Sequence, residues 1–279
     1  IRVLTKSELL SLKGYIGNFQ AEISGNALPF EVGAIIVATG FDTYLDSYSE
    51  KLSDKIITQL QLEEKLKEGL RVKEGSCICF LLDSLDYGTK LSSMTALKNA
   101  LLFREQFGGE VFLLYRNMKV AEEGLERLYQ KVRDSGVMLC KYEEEPRLIG
   151  EASIRFRDLL VGEELRLDYD LLILAEKIGP SRGFKELGDI LDIAYDEEGF
   201  YPEDDIYLLP YSSSRRGIFL VGGCRGSRGI AQTMFEVSSA ISEIHSLLSE
   251  GKTTITMDKA IVDSEKCAFC LTCYRTCPH

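Results

Sequence analysis

Tryptophan is absent from this sequence, and histidine is nearly so, with only His245 and His279. No Ser/His/Asp arrangement can be assembled on that basis, so triad hydrolysis has no support. His245 sits in a helical pattern as a surface or packing residue, and His279 is the last residue. No apolar run approaches the roughly 20 residues of a spanning helix. No cationic stretch followed by an apolar segment marks a secretory leader. Positive charge is short as well: 33 Lys and Arg against 44 Asp and Glu leave a net charge of −11. Nucleic acid demands a basic footprint, so this balance argues against it, and against an anionic membrane surface.

Apolar residues are present at an ordinary 45%, enough to bury a sizeable core in a chain of 279 residues. That length fits one large domain or two smaller ones. There are eight cysteines. Cys77, Cys79, Cys140 and Cys224 are scattered, mostly in or beside apolar strand-like stretches, and read as buried free thiols. Without a secretory leader, a reducing cytoplasm is the expected setting.

The other four form the run "KCAFCLTCYRTCPH": Cys267, Cys270, Cys273 and Cys277, followed by Pro278. The spacing C-x2-C-x2-C-x3-C-P is that of bacterial ferredoxins. Its first three thiolates wrap one cubane cluster and its fourth ligates a second. Zinc sites split their cysteines into separated pairs, which makes a zinc knuckle the weaker reading. A pair of clusters needs a second run, and none follows. The chain also opens at Ile1 with strand-like Arg2 to Leu4. Both ends therefore read as those of an excerpt from a longer protein.

Along the chain, "GNFQAEISG" and "GAIIVATG" read as β structure, and a charged helix follows over about 58–67. "CICFLLD", "MTALKNALLFREQF", "EVFLLYR", "AEEGLERLYQKVRDSG" and "VMLCKY" alternate strand and helix. This βαβαβ order predicts a parallel sheet with right-handed crossovers. "SIRFRD" and "ELRLDYD" predict a hairpin turning at Val161-Gly162, and "LLILAEKIG" a fourth buried strand. "RRGIFLVGGCRGSRGIAQTMFEVSSAISEIHSLLSEG" reads as strand, glycine-rich turn and long helix. In that helix Ile230, Met234, Val237, Ile241, Ile244 and Leu248 recur at helical spacing and are expected in the core. Residues 252–261 read as a linker.

Two glycine-rich strand ends are candidate ligand sites. Gly222-Gly223 closes one strand and Gly229-Ile230 opens the long helix, whose free N–H groups suit a phosphate or an electron-rich ring edge. The alternative is a tight turn with no ligand. Ala38-Thr39-Gly40 closes the other strand, a weaker signal. The central unit lacks the G-x-G-x-x-G of a dinucleotide fold: its turn reads "DSLDYGTKLSSM", with Gly88 alone. Arg116 follows the second strand, where an NADP-type site places a cation, but a solvated side chain is the plainer expectation. Glu143-Glu144-Glu145 reads as a solvated charge run.

In this order the blocks resemble the A subunit of heterodisulfide reductase and its relatives. "LTKSELLSLKGYIGNFQAEI" looks like the stretch after that family's first flavin-binding motif, and "GAIIVATGFD" like its A-T-G strand. "GVMLCKYEEEPRLIG", "DYDLLILAEKIGPS" and "RRGIFLVGGCRGSRGI" look like its later blocks, with the cysteine run at its C-terminal clusters. The resemblance covers nearly the whole chain. It implies an α/β, FAD/NAD(P)-binding disulfide-reductase-like fold. Residues 1–45 and 177–250 would form a flavin-binding domain, 46–176 an inserted parallel βαβ domain, and 251–279 a truncated ferredoxin-like segment. Gly222, Gly223, Gly229 and Ile230 would lie along FAD, with Ala38, Thr39 and Gly40 near the interdomain crossing. Cys267, Cys270 and Cys273 would hold one [4Fe-4S] cluster and Cys277 another.

The sequence departs from that pattern in three places. The family's N-terminal G-x-G-x-x-G, which holds the FAD diphosphate, is missing. The middle domain has no cysteine between Cys79 and Cys140, so the cluster many relatives carry there is not expected. Gly223 stands where flavoproteins of this fold commonly place Asp. A redox C-x-x-C is also missing from the flavin portion. The resemblance thus implies a cytoplasmic electron-transfer subunit working between FAD and [4Fe-4S] clusters, in complex with other reductase or hydrogenase subunits. Whether the chain is itself an enzyme stays open. The alternatives are a docking platform for redox partners and an NAD(P)H-dependent flavoprotein reductase.

Overall fold

The computed structural model describes residues 1–26, 28–45, 48–82, 89–205, 207, 209–249, 251 and 262–276. The chain begins with an antiparallel sheet of β1 (Leu9–Tyr15), β2 (Asn18–Ile23) and β3 (Phe30–Val32). Tyr15 pairs with Asn18, leaving Ile16-Gly17 as a two-residue turn. Gly17 lies at φ +82°, a left-handed conformation that only glycine adopts without steric cost. Phe19 and Ala21 alternate onto the buried face. Next come β4 (Ile35–Val37), β5 (Phe41–Tyr44) and β6 (Ile56–Thr58). Thr58 then starts α1 (Gln59–Lys67): its Oγ1 accepts from the Gln61 N–H at 3.1 Å, and the Gln61 side chain accepts from the Thr58 N–H at 3.0 Å. This reciprocal box satisfies two N–H groups the helix cannot.

The predicted alternating unit follows as β7 (Cys77–Leu81), α2 (Lys90–Phe107), β8 (Glu110–Tyr115), α3 (Leu125–Asp134) and β9 (Met138–Lys141). The turn with Gly88 and the linker expected over 252–261 lie outside the described residues. A small antiparallel sheet, β10 (Arg147–Ile149), β11 (Ser153–Arg157) and β12 (Glu164–Asp168), contains the predicted hairpin. Asp158 Oδ1 holds its turn by accepting from the Leu160 and Val161 N–H groups at 2.8 and 3.0 Å. β13 (Leu171–Leu174), β14 (Lys177–Pro180), α4 (Phe184–Leu191), β15 (Ile218–Leu220), α5 (Ile230–Ser249) and α6 (Thr272–Thr276) complete the order.

The central sheet is parallel throughout, in the order β6-β13-β7-β8-β9. Alternate residues of β7 serve two cores. Ile78 and Phe80 meet Ala96, Leu97, Ala100 and Phe103 of α2, while Cys79 and Leu81 meet Ile154 and Phe156 of the small sheet. Burial on both faces is why this strand is apolar at every position.

Two expectations need correction. "LLILAEKIG" is two strands: β13 joins the central sheet, whereas β14 pairs antiparallel with β5. The break falls at Glu176, whose carboxylate leaves the sheet to accept from the Gln59 and Leu60 N–H groups at 3.1 and 3.0 Å. The α5 stripe is the second. Val237 and Ile244 pack against Phe219, Val221 and Ala240, but Ile230, Met234, Ile241 and Leu248 are 86, 61, 53 and 42% exposed. The innermost residues are Glu236 and Ala240. The sheet beneath α5, β15 with β4, has two strands. It is too narrow to cover a helix flank about 10 Å across.

Candidate functional site

β4 and β15 run parallel and side by side, with Ile35, Ile36 and Val37 opposite Ile218, Phe219 and Leu220. Both therefore deliver their carboxyl ends to one place, where ligands bind in open α/β sheets. That register brings the 38–40 turn against the 222–223 turn. A Cβ built on Gly223 would fall 3.1 Å from the Gly40 Cα and 2.6 Å from Phe41 Cδ1. Gly223 thus has a packing reason of its own, and an aspartate there would collide with the neighbouring strand end. Gly222 adopts φ +68°, and its N–H donates to Glu236 Oε2 at 2.8 Å. Gly229 caps the region by accepting from Thr233 N and Oγ1, both at 2.9 Å. Ile230 follows at the exposed start of α5.

The sequence reading missed the charge network behind this turn. Glu236 is buried, and its Oε1 accepts from Arg225 Nη1 at 3.0 Å and Arg228 Nε at 3.1 Å. Arg225 also donates from Nη2 to Glu203 at 2.9 Å and lies over the Tyr211 ring. Arg225 Nε has no hydrogen-bond partner among the described residues. Burial would raise the Glu203 carboxyl, but the hydrogen bond from Arg225 together with the backbone hydrogen bond and the charges of Arg225 and Arg228 outweighs it and holds the group below the usual range. The network ties the 222–228 turn to α5. Its one signal in the sequence is a glutamate on the inner helical face between Thr233 and Ala240.

Beside this turn lies a cavity of about 580 Å³, where β5 and β14 leave the central unit. Lys90, Lys119, Lys177 and Arg228 line it against Glu197 and Glu198, with Tyr44, Phe200 and Gln232. In a chain of net charge −11 this is a local reversal of sign, suited to an anionic ring or phosphate. The residues therefore fit the ring end of a flavin. They do not fit its diphosphate end, because residues 1–279 contain no G-x-G-x-x-G to cradle it. Arg116 is not the solvated cation expected: it donates to Glu145 at 3.3 Å and lies over the Tyr142 ring. Glu145 in turn accepts from Tyr48 Oη at 3.1 Å, so that charge run is only partly solvated.

In the cysteine run, Cys267 is half-buried and Cys270 and Cys273 are exposed; Cys277 lies outside the described residues. Thr272 Oγ1 donates to Cys270 Sγ at 3.3 Å, and this bond lowers the thiol pKa. A lower pKa favours the thiolate, which is the form that ligates metal. Among the described residues no three Cys, His, Asp or Glu side chains are gathered at metal-binding range, so these thiols are not brought together. The scattered cysteines differ. Burial pushes Cys140 up to about 12 and Cys77 and Cys224 up to about 11, which leaves them unreactive packing groups.

No protein-family model matches the sequence. The chain is 28% identical over 284 residues to the iron–sulfur A subunit 1 of the CoB–CoM heterodisulfide reductase of Methanopyrus kandleri, covering 89% of this chain and 42% of that protein. It is 28% identical over 281 residues to the A subunit of the H2/formate:CoB–CoM heterodisulfide,ferredoxin reductase of Methanococcus maripaludis, covering 90% and 43%. The chain thus spans less than half the length of the curated relatives it matches. Among solved structures it is similar to thioredoxin reductase of Lactococcus lactis, with a TM-score of 0.57 and 16% identity over 88% of this chain and 75% of that one. The T. acidophilum thioredoxin reductase gives 0.55 and 17% over 88% and 74%. Among the described residues no helix is long and apolar enough to cross a membrane. By sequence the chain is similar to the heterodisulfide reductase A subunits, and by architecture it has the FAD/NAD(P)-binding disulfide-reductase fold.

Proposed function

We propose that this chain is part of an electron-transfer subunit that moves electrons between FAD and [4Fe-4S] clusters in a heterodisulfide-reductase-like assembly. The observation that carries the reading is similarity over nine-tenths of the chain to proteins named as iron–sulfur A subunits of heterodisulfide reductases. Residues 1–45 and 177–250 would form the flavin-binding unit, 46–176 its insert and 251–279 the cluster segment. When bound, the flavin exchanges electrons in pairs and each cluster exchanges them singly.

The chain's own residues have distinct tasks on this reading. The 38–40 and 222–223 turns bring bare backbone to the ligand, and the start of α5 at Gly229-Ile230 offers N–H groups and partial positive charge. Lys90, Lys177 and Arg228 favour negative charge in the adjoining cavity. Glu236 and Arg225 hold the turn in place. Cys267, Cys270 and Cys273 would ligate one cluster and Cys277 a second. The absence of a C-x-x-C from residues 1–250 favours electron relay over direct disulfide reduction. Reductase or hydrogenase subunits are the partners this implies, and cytoplasm the place.

The test is anaerobic purification of the native-length product with assay of iron, acid-labile sulfide and flavin. Cys270→Ser should lose iron and sulfide while flavin content is unchanged. Iron content unaffected by Cys270→Ser would contradict the reading. Rapid bleaching of the flavin by NADH or NADPH in a cluster-free preparation would favour a nicotinamide-dependent reductase instead.

A further inference from the structure

Two of the four non-glycine residues with positive φ among the described residues flank one cysteine: Phe269 at φ +54° and Leu271 at φ +57°, on either side of Cys270. Glycine is free of steric cost in this left-handed region, but large side chains are not, and such cost collects at functional sites. Leu271 makes the turn into α6, and its carbonyl accepts from the Arg275 N–H at 3.0 Å. Thr272 is thereby fixed as the first residue of α6, with the chain reversing just before it. Its Oγ1 donates to Cys270 Sγ, two residues back, at 3.3 Å. Among the described residues no such bond reaches Cys267 or Cys273. One thiol of the run is thus singled out by a hydroxyl donor.

The geometry points to Thr272 as a positioning residue that acts through Cys270 and raises the reduction potential of the site formed by Cys267, Cys270 and Cys273. This role rests on the proposed reading of these cysteines as [4Fe-4S] ligands, and adds to it a residue that is not itself a ligand. A ligating cysteine is a thiolate. An electron added at the site places more negative charge on the ligand sulfurs, so a hydroxyl donating to one of them stabilises the reduced state more than the oxidised one. Hydrogen bonds to the sulfurs are among the levers that set such potentials, and partners outside the ligand shell tune the ligands they touch. Bonds to an ionised acceptor are about twice as strong as neutral ones. The sign follows: Thr272 makes the site a better acceptor of electrons. Serine can supply the same hydroxyl. Valine has the shape of threonine but no O–H to donate, and its extra methyl occupies the place a substitute water would need.

Redox titration of the anaerobically prepared native-length product, followed by electron paramagnetic resonance, tests this. The signal lost in Cys270→Ser identifies the site. Thr272→Val should make its reduction about tenfold less favourable, a downward shift of about 59 mV for one electron. Thr272→Ala, which removes the hydroxyl without adding bulk, should shift it the same way. Thr272→Ser should restore the wild-type midpoint, and the remaining signals should not move. Iron and acid-labile sulfide should be equal in all three Thr272 variants, which separates tuning from loss of ligation. Equal midpoints in wild type, Thr272→Val and Thr272→Ala overturn the inference and leave the ligand reading standing. Loss of iron in Thr272→Val and Thr272→Ala alike also overturns it, and makes Thr272 a structural part of the loop. Absence of any signal sensitive to Cys270→Ser overturns both the inference and the ligand reading.

Discussion

In the five-stranded sheet the inner strands are closed on both faces, by helices on one side and by β10–β12 on the other. In the β15–β4 pair one face packs into a core with Phe19, Phe184 and Tyr201, while the other is covered by α5 and Tyr211. Both regions are parallel and apolar. The difference is one of completeness: the first is a finished stack of layers, and the second is the rim of one. The candidate ligand site lies at that rim, where two strand ends and a helix start meet. There a buried charge network, rather than a broad apolar core, holds the backbone.

Substitutions can sharpen that contrast. The largest effect is expected at Glu236. Replacing it by Ala leaves buried Arg225 with Glu203 alone, takes the carboxylate from Arg228 and frees the Gly222 N–H, a loss of about 3–5 kcal/mol by the usual cost of breaking a buried pair. Urea denaturation would measure it, and a loss below about 1 kcal/mol would remove the network from the account. In the central sheet Leu113 is fully buried, and Leu113→Ala should cost about 2–5 kcal/mol. Met234→Ala on the open α5 stripe should change residues 1–279 by less than about 0.5 kcal/mol. Equal losses at these two positions would break the comparison.

Smaller effects belong to helix starts and surface pairs. Thr89 begins α2 with a reciprocal box, accepting from the Ser92 N–H at 3.1 Å. Thr89→Ala should cost about 1 kcal/mol in thermal or urea unfolding. At Glu63 burial alone would raise the carboxyl, but hydrogen bonds from Lys98 at 2.6 Å and Asn99 at 3.0 Å bring it below the ordinary 4.5. A folded value below the unfolded one gives stability that is present above about pH 4.5 and lost as pH falls through the folded value. Glu63→Gln should therefore be slightly less stable than wild type at neutral pH, with the gap closing as pH falls below about 4.5; a gap that does not change with pH would contradict the assignment.

Much of the central unit was legible in the sequence because strands buried on both faces are continuous apolar runs, and α2 and α3 separate them cleanly. β6 was not, since Ile56-Ile57-Thr58 is too short to show a period and becomes a strand only by pairing with β13. α4 was also missed: its N-cap is Gly183, with no side-chain cap to announce it. Periodicity identified the apolar face of α5. It carried no information on how much sheet lies beneath, so four of the six stripe residues were misplaced. At the site, glycine spacing located the strand ends, and their parallel register brings 38–40 and 222–223 together. Glu236 showed only as a glutamate on the inner helical face and Arg225 not at all, because a charge becomes buried only through partners that the fold supplies. The cysteine run was the plainest motif in the sequence, yet its ligand geometry depends on Cys277 and on a cluster to wrap.

The most direct measurement of the central claim is anaerobic stopped-flow spectroscopy on the native-length product with its flavin reduced. The account predicts that flavin reoxidation and cluster reduction proceed at one shared rate, and that Cys270→Ser abolishes the cluster signal and slows the flavin. Flavin reoxidation at the wild-type rate in Cys270→Ser would contradict it.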